Sequence, residues 1–467
     1  MRTRSIHRIP PSTATDRRLP SLAALALLAA VASACNADPE PGPPAADESS
    51  SDGGASSSSD DGGPTAFFDD DEVRTILAWL GPLPDAPHPD PSNAFADDPD
   101  AALLGQRLFF DPRYSANGEV SCVTCHDPAA GFGDSRANLS SGIAVTGRSS
   151  LGLLNGAFGA AAENGPIWQF WDGRADSQWA QALAVPESGA AMASTRSKVA
   201  LHLYDEYRDD YEAVFGPIPA LRDDTGTPLV DPTYKPGMPE WDALPAESRD
   251  AIEGVYANFG KAVAAYERLL VSRNSRFDRL WHDLAAGAPD SPSLTDEEKA
   301  GLRVFIGAGR CLGCHNGPNF TDGEFHNIAI PQSGENVPEM DQGRAGGVAK
   351  LIADKFNCAG TYSDHPDKTA CPVNFVVPEG AEVGAFKTPS LRSIGLTPPY
   401  MHTGNFATLE DVIRHYDLGG AAYGTFEGSK DELLRPLALD ATQLRALAAF
   451  LRALDGEPLP AALTEAP

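Results

Sequence analysis

The hydrophobic pattern changes character along the chain. A continuous apolar run covers residues 19–34, and a stretch rich in Pro, Ser, Gly and Asp covers 36–66. Beyond it, apolar side chains recur at helical spacing, whereas alternating strand patterns are few. Two sets of such positions are Val73, Ile76, Leu77 and Leu80, and Leu409, Val412, Ile413 and Tyr416. The pattern predicts a mainly α fold with long loops, whose order begins near Asp71.

The N-terminus has the layout of an export signal. Arginines precede the apolar run, which is too short to span a bilayer but suits the core of a signal peptide. The run ends in Ala-Ser-Ala-Cys35, which resembles a bacterial lipoprotein processing site. We expect a lipoprotein-type signal peptide over 1–34 with Cys35 lipidated; ordinary cleavage leaving a free thiol is the alternative. Residues 35–70 are expected to form a disordered tether, since they cannot bury apolar surface.

An imperfect internal repeat organises the remaining chain. GQRLF at 105–109 is followed by CVTCH at 122–126, and GLRVF at 301–305 is followed by CLGCH at 311–315. The second helix has a capping-box start at Thr295 and Glu298. The repeat predicts two related domains, at 71–288 and 289–467.

Composition narrows the classes of partner. The 467 residues are enough for two domains, and 36 basic against 65 acidic residues give a net charge of −29. Nucleic-acid binding needs a basic face, so a nucleic-acid partner is excluded. No later segment is long and apolar enough to span a bilayer. We therefore expect membrane contact only through the lipid anchor, and a surface that attracts basic partners.

Each Cys-x-x-Cys-His motif predicts one covalently bound c-type haem. Two thiols at this spacing can add to the two vinyl groups of a haem, and the following His can bind the iron. A zinc site would need its Cys pairs closer in sequence or a His pair, and a redox dithiol needs no trailing His. The predicted attachment residues are Cys122, Cys125 and His126 for the first haem, and Cys311, Cys314 and His315 for the second.

Two further cysteines, Cys358 and Cys371, flank a polar loop and have no His at haem spacing. In an oxidising compartment, the natural interpretation is a local structural disulfide. Two free thiols are the alternative.

The remaining axial positions decide what each haem can do. No His lies between His126 and His202, which favours an open first iron with His126 as its only protein ligand. Closure by Met192 or His202 is the alternative. Near the second motif, Tyr416 lies on the apolar face of its helix and His415 points elsewhere. From the residues alone, Tyr416 is either a core tyrosine or an iron ligand.

Five ordered stretches resemble the bacterial di-haem cytochrome c peroxidase and MauG-like family. They are both Cys-x-x-Cys-His motifs, FWDGRAD at 170–176, FKTPSLR at 386–392 and TPPYMH at 397–402. The resemblance covers about residues 75–455. It implies two cytochrome c-like haem domains, with the N-terminal haem peroxidatic and the C-terminal haem transferring electrons.

The resemblance also implies roles for individual residues. His126 and His315 match the proximal ligands, and Trp171 matches the Trp between the haems, for which plain core packing is the alternative. Tyr416 matches the sixth ligand of the second haem in the MauG-like branch, where the typical peroxidases have Met. One Ca²⁺ is implied, with an empty or water-filled site as the alternative. Its matching ligands are Asn155, Thr397 and Pro399.

The chain departs from the family pattern above the first haem. Gln181 is retained, but the usual acid is replaced by Ala191. Peroxide cleavage needs a group that moves a proton between the two oxygens. Glu187 is the nearest remaining carboxylate in the stretch. We consider it as a substitute base, with a solvated loop acid as the alternative.

Together these features predict a di-haem peroxidase of the bacterial cell envelope, with the outer membrane favoured by Asn36. Hydrogen peroxide would be reduced at the open first haem. Electrons from a small cytochrome, a cupredoxin or another donor would enter at the second haem. The alternatives are a MauG-like oxidase that modifies a protein substrate, favoured by Tyr416, and a non-catalytic electron-transfer cytochrome, favoured by Ala191. A homodimer is possible within this interpretation.

Overall fold

The computed structural model describes residues 66–160, 167–378 and 382–467. In these ranges the chain is mainly helical, as the sequence predicts, with long loops and one small antiparallel pair of strands, β1 (Phe325–His326) and β2 (Phe386–Lys387). The helices are α1 (Asp70–Trp79), α2 (Pro99–Phe110), α3 (Gln178–Ala184), α4 (Arg196–Glu206), α5 (Arg208–Phe215), α6 (Pro239–Asp242), α7 (Ala246–Glu267), α8 (Arg276–Ala285), α9 (Asp296–Ile306), α10 (Arg344–Ala353), α11 (Leu409–Asp417), α12 (Ala441–Arg452) and α13 (Ala461–Thr464).

Local capping signals set the helix starts. Thr295 accepts a hydrogen bond from the backbone of Glu298, whose side chain binds back to Thr295, which confirms the predicted capping box of α9. Thr408 is the N-cap of α11, and its side chain accepts a hydrogen bond from the backbone N–H of Asp411. The helix carrying Tyr416 therefore begins where the sequence pattern places it.

Two apolar cores organise the described residues. The first contains α2, α3, α4 and α7 and is centred on large aromatic side chains such as Trp179, Tyr256 and Phe259. The second contains α1, α8, α9 and α12, with Phe305 and Phe450 at its centre. Each core therefore surrounds one copy of the repeated helix.

The same helix crossing occurs in both cores. A Cβ added to Gly105 of α2 would lie 1.9 Å from the carbonyl oxygen of Ala262 in α7. A Cβ added to Gly301 of α9 would lie 2.0 Å from the carbonyl oxygen of Ala446 in α12. Such backbone contact leaves room only for glycine. In each half a short 3₁₀ turn with the Cys-x-x-Cys motif follows the crossing helix, at Cys122–Thr124 and Cys311–Gly313.

The two cores do not divide at residue 288 as the sequence predicts. Helices α1 and α8 lie before this boundary but pack in the second core, because Ile76 and Phe277 are buried there. Phe356 lies after it but packs in the first core. The reason is that proximity in sequence does not decide which apolar core a helix packs against.

The tether ends earlier than predicted, because Phe68 is 4% exposed and belongs to the second core. The predicted signal peptide, Cys35 and residues 35–65 of the tether lie outside the described residues. Among the described helices, none combines the length and apolar character needed to cross a bilayer.

Replacing Gly105 by Ala tests the helix crossing. The new methyl group meets the Ala262 carbonyl, so the free energy of unfolding should fall by about 1–3 kcal/mol, measured by urea denaturation of the holoprotein. Gly254→Ala is the matched control within α7, since its Cβ would meet nothing within 4 Å. There the change should be stabilising by up to about 1 kcal/mol. Equal effects of the two substitutions would contradict the crossing constraint.

Candidate functional site

Both Cys-x-x-Cys-His motifs open onto one cavity of about 800 Å³ between the two cores. Its lining is largely apolar, and Trp171 contributes to the wall. The cavity residues from the two motifs are Cys122, Cys125, His126, Cys311, Cys314 and His315. The fold therefore brings together two motifs that are far apart in sequence.

The two histidines are held in the same way. Nδ1–H of His126 donates to the carbonyl of Phe132 at 2.8 Å, and Nδ1–H of His315 donates to the carbonyl of Phe320 at 3.0 Å. Both phenylalanines have positive φ, 57° and 52°, which is uncommon for a bulky residue. Burial lowers the pKa of both imidazoles, so they are neutral and keep the Nε2 lone pair for a metal.

The cysteines fit covalent attachment better than thiolate chemistry. All four motif cysteines are free. Burial raises the pKa of Cys122 and of Cys311 to about 12. Reactive dithiols and zinc thiolates need the opposite shift. The residues thus fit two c-type haems: paired thiols, a neutral imidazole beside each pair and a large apolar cavity.

Aromatic side chains line the space between the two motifs. Trp171 donates its Nε1–H to the carbonyl of Ser149 at 2.8 Å, which fixes the indole. His402 lies edge-on to Trp171, with ring centroids 6.3 Å apart, and stacks on Phe386 at 3.6 Å. Burial lowers the pKa of His402 to about 3, so it is neutral. His402, the last residue of the TPPYMH stretch, thus lies in the cavity wall, a place that the spacing of the stretch does not predict.

The residues predicted to lie above the first motif are not all in the cavity wall. Gln181, Ala191 and Met192 line the cavity, whereas Glu187 does not. Both Glu187 oxygens are engaged by the Arg196 guanidinium, at 3.0 and 2.7 Å. This ion pair disfavours Glu187 as a base for a reaction in the cavity.

His202 is also directed away from the first motif. Its Nε2 lies 2.7 Å from Oδ2 of Asp111, and His202 is not part of the cavity wall. Of the two candidates for closing the first iron, only Met192 is in the wall. The periodicity of α4 does not predict that His202 binds Asp111, because the direction of a single side chain depends on its tertiary partner.

At the second motif, Tyr416 is half-buried in the cavity wall, on the face of α11 that the sequence pattern predicts. Within the described ranges, no hydrogen-bond partner lies near its hydroxyl. Burial raises the pKa of this phenol. The neighbouring His415 points away, and its Nε2–H donates to the carbonyl of Ile328 at 2.8 Å.

The three predicted calcium ligands are not all in the cavity wall. Thr397 and Pro399 line the cavity, but Asn155 does not. The Asn155 amide is engaged by Ser272: its Nδ2 donates to the Ser272 carbonyl at 3.0 Å, and its Oδ1 accepts from the Ser272 N–H at 2.9 Å. The geometry thus lends the calcium site no support, and it stays a prediction.

Cys358 and Cys371 form a disulfide, with their Cα atoms 5.7 Å apart. The Cys358 N–H donates to Oδ2 of Asp176 at 2.8 Å, while Oδ1 of Asp176 is buried without a hydrogen-bond partner in the described part of the chain. The bridge thereby ties the loop to the FWDGRAD segment, which has Trp171 in the cavity wall. Its role is structural.

Comparisons with known proteins agree with this geometry. A family model described as di-haem cytochrome c peroxidase matches residues 99–285. Cytochrome-c peroxidase IdrP1 of Denitromonas iodatirespirans is 33% identical over 395 residues, covering 81% of this chain and 87% of that protein. Methylamine utilization protein MauG of Methylorubrum extorquens is 30% identical over 382 residues, covering 82% and 84%.

The fold also matches solved structures. The diheme peroxidase BthA from Burkholderia thailandensis has a TM-score of 0.55 at 21% identity, covering 83% of this chain and 98% of that one. A MauG-like protein associated with microbial copper homeostasis has a TM-score of 0.56 at 24% identity, covering 82% and 98%. These likenesses concern the fold.

Asp176 gives the site a pH-dependent stability. Burial raises the pKa of Asp176 to about 6, above the ordinary 3.8. As the pH rises, the carboxyl therefore ionises first in the unfolded chain. The free energy of unfolding should fall by up to about 3 kcal/mol as the pH rises from about 4 to about 6. Urea denaturation across this range should show that Asp176→Asn removes this loss, whereas the exposed control Asp85→Asn retains it. If the free energy of unfolding fell equally with pH in both variants, the raised pKa would not belong to Asp176.

Proposed function

Because this chain belongs to the di-haem cytochrome c peroxidase family, we propose that it reduces hydrogen peroxide with electrons from a small cytochrome, a cupredoxin or a comparable donor. The observation that carries this proposal is the single cavity lined by both Cys-x-x-Cys-His motifs. The family implies two c-type haems, and two one-electron centres match the two-electron reduction of peroxide.

The chain's own residues would hold these groups. Cys122 and Cys125 would attach the first haem and Cys311 and Cys314 the second, with the His126 and His315 imidazoles as proximal ligands. The backbone carbonyls of Phe132 and Phe320 orient the two rings. When bound, the haems supply electron transfer at the second site and peroxide activation at the first.

Trp171 and Gln181 have different roles in this proposal. The indole of Trp171, fixed by the Ser149 carbonyl, lies in the wall shared by the two sites, where an electron relay would have to lie. Gln181 presents an amide to the first site and can orient a bound peroxide, but an amide is a poor proton donor. With Ala191 in place of the usual acid, proton supply is the weak point of this site.

Tyr416 favours a second candidate function. Relatives of this chain include both peroxidases and MauG proteins. A phenolate ligand would stabilise ferric iron and lower the potential of the second haem relative to a thioether. A protein oxidant of the MauG-like kind would use such a site with a protein substrate instead of an electron donor.

The place of action that we propose is the bacterial cell envelope, because c-type haem attachment takes place outside the cytoplasmic membrane. The strongly acidic chain would attract a basic donor and raise the rate of encounter at low salt. The lipid anchor at Cys35, the outer-membrane preference, the homodimer and the Ca²⁺ stay predictions.

Electron paramagnetic resonance of the ferric holoprotein tests the two sites together. We expect one high-spin and one low-spin haem, since His126 would be the one protein ligand of the first iron and Tyr416 would be the second protein ligand of the other. Tyr416→Phe should convert the low-spin signal to high-spin, and Tyr416→Met should restore it with a higher reduction potential. Two low-spin haems in every redox state would contradict the peroxidase and favour an electron carrier.

Restoring the missing acid tests the reaction at the first site. Ala191 lines the cavity, so Ala191→Glu places a proton-exchanging group there and should raise peroxide turnover at least about tenfold, within the usual contribution of general acid–base catalysis. Ala191→Gln is the control, since it has similar size and polarity but cannot exchange a proton. Equal rates for wild type and both variants, measured with a reduced small cytochrome, would contradict this account of the departure.

A further inference from the structure

One carboxyl group in the cavity wall, that of Glu267, has no role in the function proposed above. It is the last residue of α7 and is 4% exposed. Its Oε2 accepts one hydrogen bond, from Nε2 of Gln178 at 3.1 Å, and Oε1 has no partner among the described residues. Burial raises the pKa of Glu267 to about 8, so the carboxyl is neutral at pH 7.

The other carboxyl groups in the cavity wall are paired with cations. Asp172 pairs with Arg174, Asp341 with Arg148 and Asp431 with His326. In the described part of the chain, no cationic side chain pairs with Glu267. It is therefore the carboxyl in this wall that can gain or lose a proton without breaking an ion pair.

The internal repeat shows that the fold does not require a carboxyl at this position. The helix crossing aligns Ala262 of α7 with Ala446 of α12, since each carbonyl meets the glycine of the facing helix. Five residues after Ala262, α7 has Glu267, and five residues after Ala446, α12 has Leu451. Both side chains line the cavity. Burying an unpaired carboxyl costs stability. A carboxyl that is present beside the first motif and absent beside the second therefore points to a function at the first.

Glu267 is hydrogen-bonded to the helix that carries Gln181, in the wall that also contains Ala191. Its partner Gln178 lies one turn before Gln181 on α3, and both glutamines line the cavity. Ala191 is in the same wall. The groups facing Glu267 carry no compensating charge: Gln178 is neutral, the Cys122 sulfur becomes a thioether on haem attachment, and the Tyr266 hydroxyl donates to the Leu463 carbonyl.

We propose that Glu267 is the proton-exchanging group of the first haem site. The inference rests on the proposed peroxidase function and supplies its missing acid. An electron delivered to the first site adds a negative charge, which raises the affinity of Glu267 for its proton. Reduction of H₂O₂ to two waters takes two electrons from the donor protein and two protons. Glu267 gives one proton to the departing oxygen, and solvent supplies the other and then reprotonates Glu267.

Spectroelectrochemical titration of the first haem between pH 6 and 10 tests this without turnover. In wild type, the midpoint potential should fall with rising pH, by at most about 59 mV per tenfold change in proton activity for one electron. Glu267→Gln keeps the size and the contact with Gln178 but should remove this part of the slope. Glu119→Gln, an exposed carboxyl close to the same motif, should leave the slope unchanged.

Infrared difference spectra between the reduced and oxidised protein provide a second readout. A protonated carboxyl band that responds to reduction should be present in wild type, absent in Glu267→Gln and retained in Glu119→Gln. The single-turnover rate with peroxide at pH 7 should fall at least tenfold in Glu267→Gln. If that variant does not fold, Glu267→Leu reproduces the residue at the equivalent position 451.

Two results would overturn the inference: a wild-type potential independent of pH over this range, or the same slope in wild type and Glu267→Gln. A pH-dependent potential that requires Glu267, in a protein without peroxide turnover, would instead overturn the proposed function and still support proton exchange at Glu267. The two failures are therefore distinguishable.

Discussion

The close crossing of two helix pairs is the constraint on which the rest of the structure depends. Gly105 meets the backbone of α7, and Gly301 meets the backbone of α12. Each crossing fixes where the following Cys-x-x-Cys turn leaves its helix, and thus where the thiols and the imidazole enter the cavity. Because the same contact is used twice, the two halves direct their Cys-x-x-Cys-His motifs into the cavity in the same way, although the side chains around the two motifs differ.

Electrostatics in the cavity follow from the burial of its titratable groups. Burial lowers the pKa of Lys387 to about 8 and that of His402 to about 3, and it raises that of Glu267. Where a charge is retained, as on Asp341, a guanidinium lies against it. The wall therefore combines neutral imidazoles, the neutral Glu267, paired ions and the Lys387 ammonium. In such surroundings an added charge changes the local field strongly.

Side-chain direction explains where prediction from sequence failed. Glu187 was close in sequence to the missing acid, yet it binds Arg196 outside the cavity. His202 was near enough to close the first iron, yet it binds Asp111. Glu267 has no sequence signal, because a single acid in an apolar helix belongs to no motif. The partners of His202 and Glu267, which are Asp111 and Gln178, are far away in the sequence, whereas Arg196 is nine residues from Glu187 on the next helix.

The sequence by itself determined the two haem-binding motifs, the helix carrying Tyr416, the capping of α9 and the family, because these depend on local spacing and on residue types that few other functions need. Only the tertiary structure decided that α1 and α8 join the second core, that both motifs share one cavity, and that Glu267 lies in its wall unpaired. The physical reason is that burial and charge pairing are set by contacts between distant segments, whereas helical periodicity and motif spacing are properties of neighbouring residues.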